Sequence, residues 1–163
     1  MFDIVAFLKS IIATYSEDIV FIHGSDAEGN LNVNDIQGEV VFFERPYTLS
    51  GVITGSGIIE GRLRLNLFFL NGNQYHNEGG QAVNAYQDAV DTQSIKPALE
   101  SAQTFLAALR NDSRVKELSG FDFMDITDFP EFDNNMSGGM LTASFTVYNA
   151  GNVCETPTLP EEE

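Results

Sequence analysis

Arg62-Leu63-Arg64-Leu65-Asn66-Leu67-Phe68-Phe69-Leu70 is the stretch on which the fold turns. Leu63, Leu65, Leu67 and Phe69 alternate with Arg62, Arg64 and Asn66. Successive side chains of a strand point to opposite faces, so the alternation predicts a strand with one dry face and one charged face. Asn71-Gly72-Asn73 breaks it. A sheet with a dry face has to bury that face against another layer.

Two amphipathic segments can supply that layer. Over residues 2–16, Phe2, Val5, Leu8 and Ile12 recur at steps of three and four, with Ile4, Ile11 and Tyr15 beside them. Ile95, Leu99, Ala102, Leu106 and Leu109 make a second stripe, joined by Ala98 and Phe105. Pro97 suits the first turn of that helix, where a missing N–H costs nothing, and Arg110 complements the far end of the dipole.

Further strands are expected at Ile19–His23, at Glu39–Glu44 and at Leu49–Thr54, with Pro46 ending the second or placing it at an edge. Residues 24–38 read as a turn or flexible hairpin. Gly55-Ser56-Gly57 reads as a bend or bulge between strands. Residues 71–92 form a long polar loop, with a helical stretch from Gln81 to Val90. From 119 to 133 acids mix with aromatics, which predicts a loop pinned by Phe with its acids in water. Asn134–Gly139 reads as a turn, and Leu141–Tyr148 as a last strand with one polar face. The element order predicts an α+β fold: a mainly antiparallel sheet with two principal helices on one face, a long polar loop and an extended acidic C-terminal arm. Residues 1–154 make one domain and 155–163 a tail.

The chain has 163 residues, 43% of them apolar, with thirteen Phe and no Trp. That length buries roughly 70% of the unfolded surface, enough for a core without staples. Cys154 stands alone, which leaves no intramolecular disulfide and predicts a half-buried apolar residue. Asp3 sits where a signal peptide carries its positive region, and no stretch has the length of a membrane span. The formal charge is −16, and after Lys116 ten acids follow with no Lys, Arg or His. Such a surface repels phosphates.

No catalytic, cofactor-binding or metal-binding set emerges. Asp26, Glu28, Asn30, Asn32 and Asn34 alternate oxygen side chains, but the sixth position from Asp26 is Leu31 where a calcium loop needs Gly, so a hydrated hairpin tip is the plainer reading. Asp122, Asp125 and Asp128 read the same way, as acids facing water. Phosphate-binding glycine loops and the Gly-x-Ser-x-Gly elbow are missing from the sequence. Arg62 and Arg64 are too few for a nucleic-acid footprint and are expected to pair with acids of the same chain or of a partner subunit.

From residue 2 to 157 an ordered set of cues resembles the small neck or tail proteins, ring and tail-terminator-like, of tailed phages that infect Bacteroidota, the crAss-like phages and their relatives. The cues are the first helix, Phe21-Ile22-His23-Gly24, Glu44-Arg45-Pro46, Leu65-Asn66-Leu67-Phe68-Phe69-Leu70, Phe105-Leu106-Ala107-Ala108-Leu109, Phe132-Asp133, Ser137-Gly138-Gly139, Cys154 and Pro157. The resemblance implies a non-enzymatic virion protein, assembled in the host bacterial cytoplasm. It implies a homo-oligomeric ring that contacts other neck, portal or tail proteins, with viral DNA passing unbound and no membrane involved. Tyr75, His76, Tyr86, Arg62, Arg64 and Pro157 are the residues expected at subunit interfaces. The alternative is an acidic binding module or DNA-mimic inhibitor in the cytoplasm.

Overall fold

The computed structural model describes residues 2–24, 38–72, 91–126 and 136–152. They form α1 (Ile4–Ile12), β1 (Val20–Gly24), β2 (Glu39–Glu44), β3 (Thr48–Ile53), β4 (Ile58–Gly72), a π-helical turn (Asp91–Ile95), α2 (Lys96–Asn111), β5 (Val115–Ile126) and β6 (Met136–Asn152). The fold is α+β, as the alternation and the two stripes predict. One six-stranded sheet runs β1-β2-β4-β6-β5, and β3 pairs with β4 beyond the end of β2. Only β1 and β2 are parallel; the other pairings are antiparallel.

The fifteen-residue β4 organises the sheet. Its C-terminal half pairs with β2 and its N-terminal half with β3, while β6 runs along its whole other side. Thr54–Gly57 turns the chain from β3 into β4. The Gly57 N–H donates to the Thr54 carbonyl at 2.9 Å, and Gly57 takes φ 80, a conformation that suits glycine. The bend expected at Gly55–Gly57 is therefore a hairpin turn.

Both helices cover the same face. Phe7, Leu8 and Ile11 of α1, with Ala98, Ala102, Phe105 and Leu109 of α2, bury Val41, Phe43, Leu63, Leu65, Leu67, Phe69, Leu141, Phe145 and Val147 of the sheet. Phe7 stacks on Phe145 and Phe105 tilts against Phe69, both at 5.9 Å between ring centroids. Asp3 caps α1 by accepting from the Ala6 N–H at 3.0 Å. Arg114, just before β5, ties α1 to the sheet. Its guanidinium lies 4.6 Å from the Phe7 ring centre, donates to Ser10 Oγ at 2.7 Å and pairs with Asp112.

Three readings need correction. Residues 119–126 are not a loop: they belong to a twelve-residue strand, β5, whose alternation is hidden by two bulges near Lys116 and Ser119. The expected turn at 134–139 is also strand from Met136 onward, because Gly138 and Gly139 permit close packing there instead of reversing the chain. The stripe of α2 is set by Ala98, Ala102, Phe105 and Leu109, so Leu99 is 36% exposed and lies outside it.

Candidate functional site

The face of the sheet turned away from the helices is divided. At one end Ile22, Val40, Phe42, Phe68, Leu70 and Met136 form a second, smaller buried cluster. The other end is polar. There the cross-strand rows run Ser50–Arg62–Thr146–Glu117 and Thr48–Arg64–Ser144–Gly120. Next to them, Thr142 Oγ1 donates to Asn66 Oδ1 at 2.9 Å, and the Asn66 amide donates to Glu44 at 3.2 Å. A shallow, open depression of about 370 Å³ lies over Thr48, Ser50, Arg62, Arg64, Glu117 and Ser144.

Arg62 and Arg64 sit on this face as the alternation predicts, both exposed. Among the described residues neither arginine pairs with an acid of the same chain; the ion pairs there are Arg114–Asp112 and Lys116–Glu60, both at 2.7 Å. In β4 the arginines face Ser and Thr on both neighbouring strands, so no carboxylate stands directly across from either. Tyr75, His76, Tyr86 and Pro157 lie outside the described residues, as do Cys154, the 26–34 oxygen-rich stretch, the helical stretch expected from Gln81 to Val90, Asp128 and the 155–163 tail.

The two flanks of the sheet differ, a feature that alternation within one strand cannot reveal. All six residues of β3 (Thr48-Leu49-Ser50-Gly51-Val52-Ile53) are exposed, and none carries a charge. β5, on the opposite flank, pairs only with β6 among the described strands and carries Lys116, Glu117, Asp122 and Asp125. The charge of the chain is unevenly placed as well. All eight Lys and Arg and twelve of the 24 acids are among the described residues, a formal balance of −4. The other twelve acids, with no Lys or Arg, lie outside them.

Three buried polar atoms converge between α1, β2 and α2. Tyr15 OH, Glu39 Oε1 and Ser101 Oγ have no hydrogen-bond partner among the described residues. Burial pushes the Glu39 carboxyl above its ordinary pKa, and the nearby Ser101 hydroxyl only partly offsets this; burial also raises the Tyr15 phenol. The serine approaches both groups without meeting hydrogen-bond geometry. An acid whose pKa is higher folded than unfolded favours the fold below its unfolded pKa and loses that contribution as pH rises through the folded value. At neutral pH the charged form is therefore a cost, and Glu39→Gln is expected to stabilise the protein by about 1 kcal/mol. Thermal unfolding should show a rise of about 2–4 °C at neutral pH, and little difference once the medium is more acidic than the ordinary glutamate pKa.

No protein-family model matches the chain, and no curated protein matches it. No helix among the described residues is long and apolar enough to cross a membrane.

Proposed function

We propose that this chain is a structural subunit of a tailed-phage neck or tail, built to associate with copies of itself in a closed ring. The observation that carries this reading is the layout of the sheet. One face is sealed by both helices, while β5 on one flank and β3, which shares the other flank with the edge strand β1, remain exposed and unlike each other. Unlike surfaces on opposite sides of a subunit suit head-to-tail association, which closes into a ring when the rotation per subunit allows. The resemblance of the sequence cues to phage ring and tail-terminator-like proteins supports the choice of particle, and the surplus of acids fits a conduit that DNA traverses unbound.

A DNA-mimic inhibitor would present an ordered array of carboxylates. The described body instead mixes eight bases with twelve acids. The test is the native mass at neutral pH, by light scattering on a sizing column, with negative-stain imaging of the same sample. Rings of one uniform copy number are expected. A strict monomer at every concentration, or tight binding of duplex DNA at ordinary ionic strength, would remove the proposal.

A further inference from the structure

We infer that neighbouring copies join by pairing β3 of one subunit with β5 of the next, antiparallel and edge to edge, with Arg62 and Arg64 of the first subunit facing Glu117 and Asp122 of the second; the inference rests on the self-association proposed above. Exposed strand edges are templates for further pairing, and natural sheets usually blunt them with charge, proline or a bulge. Thr48–Ile53 has none of these. All six residues are uncharged and exposed, and the strand keeps an unbroken register with β4. Leu49, Val52 and Ile53 are large apolar side chains left in water, Ile53 at 62% exposure.

The charges select the partner. Two β5 strands cannot pair comfortably, because each would bring Glu117, Asp122 and Asp125 against the same carboxylates of the other. A neutral β3 meets no such penalty. It is backed by Arg62 and Arg64 on the adjacent strand, which have no carboxylate partner within the described chain. Two β3 strands side by side would bring four such arginines to one face with nothing to neutralise them.

The faces also match. Leu49 pairs with Leu63, Ile53 with Ile59 and Phe121 with Ala143, so all three project on the helix side of the sheet, where Phe121 is 58% exposed. Arg62 pairs with Thr146, Arg64 with Ser144, Glu117 with Thr146 and Asp122 with Thr142, so these four project on the other side. Joining β3 to β5 therefore places apolar beside apolar on one face and base near acid on the other. The direction agrees too. Across β3, β4, β6 and β5 the strands alternate, so β3 and β5 run opposite ways. A rotation about an axis along the strands preserves those directions and makes the new pair antiparallel, the pairing found throughout this part of the sheet.

The experiment uses two full-length variants, Arg62→Glu/Arg64→Glu and Glu117→Arg/Asp122→Arg, with circular dichroism and thermal unfolding to confirm that each remains folded. Each alone should lose the assembled species seen for the unaltered chain, because one sets acid against acid and the other base against base. An equimolar mixture should recover assembly, since every β3–β5 contact between the two kinds is again of opposite sign. If the unaltered chain assembles and both variants assemble equally well alone, the edge assignment is wrong while the self-association survives. If the arginine variant alone fails and the Glu117→Arg/Asp122→Arg chain assembles normally, the joint is β3 to β3 and the inference is overturned. An unaltered chain that stays monomeric removes both.

Discussion

Alanine at Gly138 is expected to be the most damaging small substitution in this chain. Gly138 lies in β6, beside Leu70 of β4. A Cβ there would stand 1.9 Å from the Phe69 carbonyl oxygen, 2.9 Å from its carbon and 3.0 Å from Leu70 Cα. All three are backbone atoms of the central strand, so no side-chain rotation relieves the clash. Either β6 moves off β4, breaking the ladder that joins β5 to the rest of the sheet, or β4 bends and disturbs the core beneath Phe69. Overpacking of a well-filled site costs about 1–3 kcal/mol and more where backbone has to move, and this case belongs at or beyond the upper end. Domains of this kind have total stabilities of about 5–15 kcal/mol, so Gly138→Ala should sharply lower the urea midpoint and leave part of the population unfolded in water. Gly120→Ala is the control, since a Cβ at Gly120 meets nothing within 4 Å. A Gly138→Ala protein that melts with the unaltered chain would mean that β6 does not pack against β4 at this closeness.

The same glycines show where the sequence can be read and where it misleads. Ser137-Gly138-Gly139 has the composition of a turn, and composition alone cannot distinguish a glycine that bends the chain from one that lets two strands meet. The distinction lies in Phe69 and in the Phe123 ring, which a Cβ at Gly139 would touch at 2.1 Å. β5 is obscured for a different reason. Alternation is visible only while side chains keep a strict period of two, and the two bulges shift that phase. With Phe121 and Phe123 on one face, and acids on both, the strand resembles an acid-and-aromatic loop. By contrast, Leu63–Phe69 keeps its period over the whole core-facing row, so β4 and its dry face are plain from the residues. The candidate site is half legible. The alternation puts Arg62 and Arg64 on the wet face, but their want of a carboxylate neighbour depends on Thr48, Ser50, Ser144 and Thr146 lying beside them, residues up to 84 positions away in sequence. That β3 and β5 are flanks rather than interior strands is a property of the strand order, which the sequence does not carry locally.

The phase of α2 supports the second large prediction. Phe105 is fully buried, and its ring centroid lies 5.9 Å from that of Phe69 in the middle of the sheet. Ala102 and Ala98, one and two turns earlier, are small enough to bring the helix backbone close, so Phe105 supplies the bulk that fills the space between helix and sheet. Phe105→Ala removes that ring from among the buried side chains of the sheet and helices, so the loss combines the transfer energy of the ring with whatever cavity the surroundings do not close. The expected cost is about 3–5 kcal/mol, comparable to the whole stability of a marginal domain. Leu99→Ala, six residues earlier, should change stability by no more than about 0.5 kcal/mol, because that side chain is 36% exposed and off the buried stripe. Denaturant unfolding of the two variants side by side measures the phase of the helix directly. A helix turned so that Leu99 faced the sheet would reverse the order of the two effects.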